Sequence, residues 1–402
     1  MRATLLLLQD AVYLPSFGGG NKANRLLLAA LATRGFDCHA VSRIPRERAI
    51  LAGQFGAAGL AARGVVVDHR VEPAGPLSYR HQGVQVDAFD LEAGDAAGRI
   101  EALIRRVDPE WILVSDDRPA LLLESALHCA PDRVVMLVHT HFHLPFGPEA
   151  ERPDPAQHAR MKRARGIVAV SEYSRAYLRD FGGLESTLLH FPVFDAGPFD
   201  PPAEHGSGHV LMINPCLLKG LPIFLALAAL FPATSFAAVP TWGADAAVIE
   251  QLSQMPNITL LPPADEIGTV LRHARILLAP SLIPETFGYV AVDAMLRGIP
   301  VLAGNLGGQP EAKLGVDHVL PVTPARRTRQ GPVAPPQDIA PWRAALESLL
   351  SDPRAYERCS QASRAAAARF QPQTDAGHFV RYLERLVSPA IPPPDRSPAL
   401  PR

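Results

Sequence analysis

The sequence predicts an α/β protein in which two doubly wound parallel sheets, each covered by helices, face each other across a cleft. Three observations lead to this fold class. Short apolar runs alternate with segments of helical periodicity along most of the chain. This alternation stops at FPVFDAGPFDPPAEHGSGH and then restarts. The 402 residues, of which 48% are hydrophobic, are enough for two buried cores.

The elements follow from these patterns in chain order. Apolar runs predict strands over 4–8, 36–41, 111–114, 134–138, 167–170 and 187–189. Apolar residues at spacings of three and four predict helices over 21–34, 95–107 and 173–181. Two alternating runs around Gln82-Gly83 predict a hairpin over 77–90. Strands over 210–213, 235–239, 258–261, 276–279 and 300–303 continue the alternation.

The break in the pattern predicts the domain limits. We expect a first domain over 1–192, a Pro- and Gly-rich linker over 193–208 and a second domain over 209–372. An amphipathic helix over 373–388 is expected to pack back on the first domain, and the Pro-rich tail 389–402 is expected to be mobile. Ligands of such sheets lie at the carboxyl ends of the strands, which puts the active cleft between the domains.

Charge and cysteine content exclude several classes of function. Lys plus Arg number 39 and Asp plus Glu number 40, so no net charge attracts nucleic acid. The four cysteines lack disulfide or zinc spacing, which favours the cytoplasm. The opening MRATLLLLQD is interpreted as a buried strand, since no apolar run approaches the roughly 20 residues of a membrane span. The basic run 160–165 predicts at most peripheral contact with the inner membrane face, and a solvated helix face is the preferred interpretation.

The stretch APSLIPETFGYVAVDAMLRGIPVLAGNLGGQPEAK, residues 279–313, is the most informative. Glu285 follows a predicted strand, and Asp293 comes after seven intervening residues. Carboxylates accept hydrogen bonds from sugar or ribose hydroxyls, and a helix that starts near Phe287 presents the backbone N–H groups of Thr286, Phe287 and Gly288 to an anion or an oxygen-rich ligand. The alternative is that Glu285 is only a first-turn charge and Asp293 a solvated helix residue.

This stretch resembles the donor-site signature of retaining GT-B glycosyltransferases of the family 4 type, Glu, seven residues, Glu, within PS…E.FG…EAM..G.PV…GG.PE. The chain matches it at Pro280-Ser281, Glu285, Phe287-Gly288, Ala294-Met295, Gly298, Pro300-Val301, Gly307-Gly308 and Pro310-Glu311, and departs from it at Asp293. The resemblance implies a GT-B fold of two Rossmann-like domains. It also implies that Glu285 contacts the donor sugar, that Asp293 holds the ribose, and that the amides of Thr286, Phe287 and Gly288 meet sugar hydroxyls or phosphate.

A second candidate segment is LMINPCLLKG, residues 211–220, where Asn214 and Lys219 follow a strand and precede an apolar helix. An ammonium at this place neutralises a diphosphate, and the alternative is a surface lysine beside a glycine. The resembled family carries Arg, four residues, Lys and Gly here. Lys219 matches, whereas Asn214 replaces the Arg and offers an uncharged hydrogen bond to phosphate.

Two segments of the first domain complete the expected site. Glycines of FGGGN, residues 17–21, follow the first strand, and the resemblance places Gly19 and Gly20 near the donor phosphates, with a tight structural turn as the alternative. In VHTHFHLPFGP the resemblance places His139 at the reacting centre, with a buried structural histidine as the alternative. A metal site of His139, His141 and His143 is not favoured, because Pro145 ends the strand and no acidic or cysteine ligands accompany them.

Together these features predict a metal-independent enzyme without a cofactor that moves a sugar from a nucleotide-diphosphate sugar, its co-substrate, to a hydroxyl-bearing acceptor. Retention of configuration is implied by the family alone. The expected catalytic residues are His139, Lys219 and Glu285. Two alternatives stay open: a protein that binds a nucleotide sugar without transfer, suggested by Asn214 and Asp293, and a pseudoglycosyltransferase. A dehydrogenase is disfavoured, since no dinucleotide fingerprint follows a strand.

Overall fold

The structure is a computed structural model that describes residues 3–44, 54, 56–70, 76–115, 117–118, 120–199 and 207–387. Residues 200–206 of the predicted linker and the whole predicted tail 389–402 lie outside the described residues. The predicted domain limits therefore stay predictions, and the two halves of the chain are described by the sheets that they form.

The N-terminal half forms a nine-stranded sheet of order β3-β4-β5-β2-β1-β6-β7-β8-β9. Its strands are β1 Thr4–Gln9, β2 Asp37–Arg43, β3 Val67–Arg70, β4 Leu77–His81, β5 Val84–Phe89, β6 Trp111–Ser115, β7 Val134–Val138, β8 Gly166–Ala169 and β9 Thr187–Leu188. Its helices are α1 Gly19–Thr33, α2 Gly56–Ala62, α3 Ala96–Val107, α4 Leu121–Cys129, α5 Pro155–Met161 and α6 Glu172–Gly182. The predicted hairpin is confirmed, because β4 and β5 pair antiparallel.

The C-terminal half forms a six-stranded parallel sheet of order β12-β11-β10-β13-β14-β15 and a separate hairpin. Its strands are β10 His209–Ile213, β11 Phe236–Val239, β12 Ile258–Leu260, β13 Ala274–Ala279, β14 Val301–Gly304, β15 Val319–Leu320, β16 Arg326–Thr328 and β17 Gly331–Val333. Its helices are α7 Leu221–Leu230, α8 Ala246–Ser253, α9 Ile267–Leu271, α10 Tyr289–Leu296, α11 Gln309–Ala312, α12 Ala340–Ser351, α13 Pro353–Phe370 and α14 Ala376–Val387.

The central strands are mostly apolar, as in parallel sheets that helices cover on both faces. In β1, Leu5 and Leu7 belong to one hydrophobic cluster, whereas Leu6 and Leu8 belong to another, as the two-residue period of a strand requires. The C-terminal sheet has its own cluster. The last helix, α14, follows that sheet in sequence, yet its Phe379 and Tyr382 are buried in the cluster that contains Leu5.

The helices among the described residues include none that is both long enough and apolar enough to cross a bilayer.

Candidate active site

The carboxyl ends of β10 and β13 position the C-terminal side of the site. These strands are parallel neighbours at the centre of the sheet, where the strand order reverses. The chain leaves such neighbours toward opposite faces, so a crevice opens between the two following loops. Asn214 and Lys219 lie in the first loop, and Glu285 to Gly288 lie in the second.

A close backbone contact holds these two loops together. Gly220 has a φ of 90°, and a Cβ there would come within 2.7 Å of the carbonyl carbon of Pro280. The N–H of Leu282 also donates to the carbonyl of Leu218 at 2.9 Å. Because the loops touch, the ammonium of Lys219 forms an ion pair with Oε1 of Glu285, although 66 positions separate them in sequence.

The Glu285 carboxylate is oriented from two sides. Its Oε1 accepts a hydrogen bond from Oγ of Ser281 at 2.7 Å. Its carbonyl accepts from the N–H of Gly308 at 2.6 Å, and Gly307 faces the same backbone so closely that a Cβ would lie 2.6 Å from Glu285 N. Glu285 and Lys219 stay partly open, at 19% and 24% side-chain exposure, so a ligand in the crevice can reach both.

The helix expected to start near Phe287 begins at Tyr289, with Gly288 as its N-cap residue at a φ of 108°. Phe287 is 1% exposed and stacks on Phe370, so only its backbone can face a ligand. Within the described part of the chain, no group accepts a hydrogen bond from the N–H groups of Thr286, Phe287 or Gly288. These amides are therefore available to an anion or a hydroxyl group.

The glycine-rich segment differs from the expected loop. Helix α1 starts at Gly19, two residues earlier than predicted, so Gly19 and Gly20 lie in its first turn. A Cβ on Gly20 would lie 2.6 Å from Cβ of His139, and one on Gly19 would lie 3.6 Å from the Tyr289 ring. Gly20 thus lets α1 approach the end of β7, whereas a side chain at Gly19 would make only an ordinary contact with the start of α10.

His139 is 7% exposed, and its Nε2 is 2.8 Å from Oδ1 of Asn24 on α1. Asn24 donates in turn to Oε1 of Gln9 at 3.1 Å. His141 instead contacts Ser174 and Glu149, at 3.0 and 3.1 Å. The histidines at 139 and 141 therefore serve different networks, and the described residues contain no group of three His, Cys, Asp or Glu side chains arranged as metal ligands.

Direct contacts join the two halves at this cleft. Oγ1 of Thr286 donates to the carbonyl of His139 at 2.8 Å. The Glu311 carboxylate accepts from the N–H groups of Glu172 and Tyr173 at the start of α6, and burial raises its pKa. Further contacts are the Arg63–Asp265 ion pair at 2.6 Å and the Arg327–Glu151 pair at 3.4 Å. The expected residues of both halves thus lie at one interface.

Asp293 is not the solvated helix residue of the alternative interpretation, because it is 3% exposed. Its Oδ2 lies 3.8 Å from Nζ of Lys22 on α1, and its Oδ1 lies 3.6 Å from Nη1 of Arg297. Burial raises its pKa to about 6, while Lys22 and Arg297 act in the opposite direction. Glu285 and Asp293 therefore have different partners in this structure.

Sequence reasoning missed several residues of the site. Ser281 orients Glu285, and Asn24 contacts His139. Ser281 stood inside the matched pattern, whereas nothing local singled out Asn24. In the basic run Lys162, Arg163 and Arg165 are exposed, as the preferred interpretation of a solvated face expects, although Arg160 pairs with Glu124 at 3.1 Å and Arg165 donates to the Leu386 carbonyl at 2.7 Å.

Comparison of sequences finds relatives of part of the chain. Residues 219–352 match the family model of glycosyl transferases group 1. The D-inositol 3-phosphate glycosyltransferase of Segniliparus rotundus is 31% identical over 150 residues, which cover 37% of this chain and 30% of that protein. The enzyme of the same name from Rhodococcus opacus is 34% identical over 112 residues, 27% of this chain and 22% of that protein. The chain thus aligns with less than a third of these relatives' length.

Comparison of structures covers nearly the whole chain. Sucrose-phosphate synthase from Thermosynechococcus elongatus superposes with a TM-score of 0.68 at 17% identity, over 96% of this chain and 99% of that one. Anabaena Alr3699/HepE, solved in complex with UDP and glucose, gives a TM-score of 0.67 at 16% identity over 96% and 100% of the two chains. The expected fold is confirmed: the chain has the GT-B fold of two facing Rossmann-like domains, and its C-terminal half is similar in sequence to group 1 glycosyl transferases.

Proposed function

We propose that this chain is a retaining GT-B glycosyltransferase of the family 4 type, which transfers a hexosyl group from a nucleotide-diphosphate sugar to a hydroxyl-bearing acceptor without a metal ion. The observation that carries the proposal is the Lys219–Glu285 ion pair in the crevice beyond β10 and β13. The match of residues 219–352 to group 1 glycosyl transferases supports it.

The proposed residues have distinct roles at the donor. The bond between the anomeric carbon and the diphosphate breaks, and negative charge collects on the leaving phosphate. The Lys219 ammonium and the N–H groups of Thr286, Phe287 and Gly288 stabilise that charge. Glu285 accepts hydrogen bonds from the sugar hydroxyls, and Asp293 from the ribose. Binding of the donor then replaces part of the Lys219–Glu285 contact.

The N-terminal half completes the reaction on the acceptor side. The acceptor oxygen attacks the anomeric carbon from the face that the diphosphate leaves, and its proton passes to the leaving phosphate oxygen. The products are a glycoside and a nucleoside diphosphate. His139, held by Asn24 and packed on Gly20, lines the reacting centre from the other side of the cleft.

Donor binding is the first test of the proposal. A ligand at 100 times its dissociation constant stabilises a protein by about 2.7 kcal/mol, which a thermal-shift panel of UDP, GDP, ADP, dTDP and their sugars detects. We expect one base to stabilise the wild type, and Lys219→Ala to lose that shift. Lys162→Ala is the matched control, because Lys162 is an exposed lysine that directly follows α5.

Turnover is the second test. Release of nucleoside diphosphate from the stabilising nucleotide sugar, measured with an acceptor panel, should fall about 100-fold in Lys219→Ala and in Glu285→Gln, which is typical of losing one charge-stabilising group. Full turnover in both variants would exclude this site. Donor binding by the wild type without any product would favour the binding protein that does not transfer.

A further inference from the structure

The carboxyl ends of β10 and β11 form a second part of the crevice. Asn214 follows β10, and its N–H donates to the carbonyl of Val239 at the end of β11, at 2.9 Å. Thr241 lies two residues beyond that carbonyl. Asn214 and Thr241 therefore both lie just beyond the carboxyl ends of neighbouring strands, and Asn214 is in the loop that also carries Lys219.

The orientation of the Asn214 amide is determined by the backbone around it. Its Oδ1 accepts a hydrogen bond from the N–H of Gly243 at 2.8 Å, and a Cβ at Gly243 would lie 2.8 Å from that oxygen. That Cβ would also lie 3.1 Å from Nδ2, so the whole amide lies beside Gly243, and the N–H from which Oδ1 accepts determines which end of the amide is the oxygen. Asn214 is 5% exposed, and no group among the described residues accepts a hydrogen bond from its Nδ2.

Thr241, which follows the adjacent strand β11, is likewise a buried polar residue with a group that is unpaired within the described ranges. It is also 5% exposed, and the described part of the chain offers no hydrogen-bond partner to its Oγ1. Buried polar groups in folded proteins are nearly always hydrogen-bonded, because leaving them unpaired costs free energy. Two such groups at the carboxyl ends of neighbouring parallel strands indicate a ligand that supplies acceptor oxygens.

We propose that Asn214 Nδ2 and Thr241 Oγ1, the amide–hydroxyl pair, bind diphosphate oxygens of the nucleotide beside Lys219. The inference rests on the proposed function, which it deepens by adding Thr241 to the donor site. The pair offers two uncharged donors where the resembled family carries the guanidinium of an Arg. Lys219 is the one cation in the loops that follow β10 and β11. Hydrogen bonds from neutral donors hold phosphate oxygens without placing a second positive charge in a buried crevice.

Thr241→Val tests the pair, since valine keeps the shape of threonine and removes the hydroxyl. Without ligand, the variant should melt at or above the wild-type Tm, because no internal hydrogen bond is lost. Its Kd for UDP, GDP, ADP and inorganic pyrophosphate, measured by calorimetry, should rise about 3- to 10-fold for every diphosphate that the wild type binds. Asn214→Asp keeps the acceptor for Gly243 and should weaken the same ligands by about tenfold or more.

Ser42→Ala is the matched control. Ser42 is 1% exposed on β2 of the other half, and its hydroxyl likewise has no partner in the described ranges. Its removal should leave every Kd unchanged. A lowered Tm of ligand-free Thr241→Val would show an internal role for the hydroxyl and overturn the inference, as would wild-type affinity for all diphosphates.

Two further outcomes separate this inference from the function on which it rests. Weakening of a single nucleotide with pyrophosphate unaffected would mean that the pair contacts the base, which contradicts the diphosphate assignment. If Lys219→Ala abolished diphosphate binding while Thr241→Val kept the wild-type affinity, the amide–hydroxyl pair would be excluded as a phosphate-binding group. The proposed function would still stand. A wild type that binds no diphosphate would overturn both proposals.

Discussion

Single residues of the cleft owe their properties to what surrounds them. Asp293 is an ordinary helix position by pattern, yet it is buried between Lys22 of α1 and Arg297, and burial raises its pKa to about 6. Loss of hydration raises the pKa of a buried carboxylate, and nearby cations lower it, so the two effects oppose each other. The residue proposed to bind ribose is thus part of the domain interface.

This pKa predicts a pH dependence of stability. Since the folded pKa exceeds the ordinary value of 3.8, the folded state binds the proton more tightly. Its contribution to the free energy of unfolding is complete below about pH 4 and is lost as the pH rises through about 6. An asparagine at this position does not titrate, so it makes no such pH-dependent contribution to the free energy of unfolding. The unfolding free energy of Asp293→Asn minus that of the wild type should therefore increase from about pH 4 to 6 and then level off.

Urea unfolding of both proteins at several pH values across this range measures the difference. Burial also raises the pKa of Asp117 to about 6, and because both proteins contain Asp117 its effect cancels. A difference that does not change with pH would contradict the prediction.

At the scale of elements, the site depends on contacts between loops. The loop after β14 supports the Glu285 loop through Gly307 and Gly308, and the turn after β10 supports it through Gly220. These glycines have little to do with local flexibility, since each faces a neighbouring backbone at a distance that excludes a side chain. The loops after three neighbouring strands, β10, β13 and β14, thus position one carboxylate.

Gly307→Ala should therefore disturb the donor site. Gly307 has a φ of 65°, and its new Cβ would collide with the backbone of Glu285, so the loop must shift. Gly315→Ala is a matched control, because Gly315 has a φ of 79° and no atom within 4 Å of the added Cβ. Both substitutions carry the backbone cost of about 1 kcal/mol, but only Gly307→Ala should also weaken nucleotide binding about tenfold or more, as measured by calorimetry. Equal affinity in the two variants would argue against this support of Glu285.

At the scale of the whole molecule, the last helix connects the two halves. Phe379 of α14 packs with Phe191 at a ring distance of 6.0 Å, in the cluster of the first sheet. The chain thus returns from the C-terminal sheet to the N-terminal one. The amphipathic pattern of residues 373–388 predicted a helix with one buried face.

Phe379→Ala should consequently destabilise the sheet that is remote in sequence. Truncating a buried phenylalanine costs about 3–5 kcal/mol, and the loss should increase amide hydrogen exchange in β1 and β2 more than in β10 and β13. Leu349→Ala on α12 is the reciprocal control, because Leu349 is 1% exposed in the C-terminal cluster. If Phe379→Ala increased exchange mainly in the C-terminal sheet, the assignment of α14 to the first core would be wrong.

The sequence by itself determined the fold class, most of the strands and the loops that carry the candidate residues. Hydrophobic periodicity is a local property of the sequence, so β7 begins and ends where the apolar run predicted. The GT-B fold agrees with the pattern around Glu285. Helix starts were less accurate, because packing around Gly20 and Gly288 decides where α1 and α10 begin.

Only the tertiary structure decided which side chains meet. The contact of Lys219 with Glu285, that of Asn24 with His139, and the burial of Asp293 against Lys22 each join residues that are far apart in sequence. No local pattern encodes such pairs, because they depend on the distance at which two strands or two domains pack. The unpaired donors of Asn214 and Thr241 became visible for the same reason: whether a buried polar group has a partner is a property of the packed structure around it.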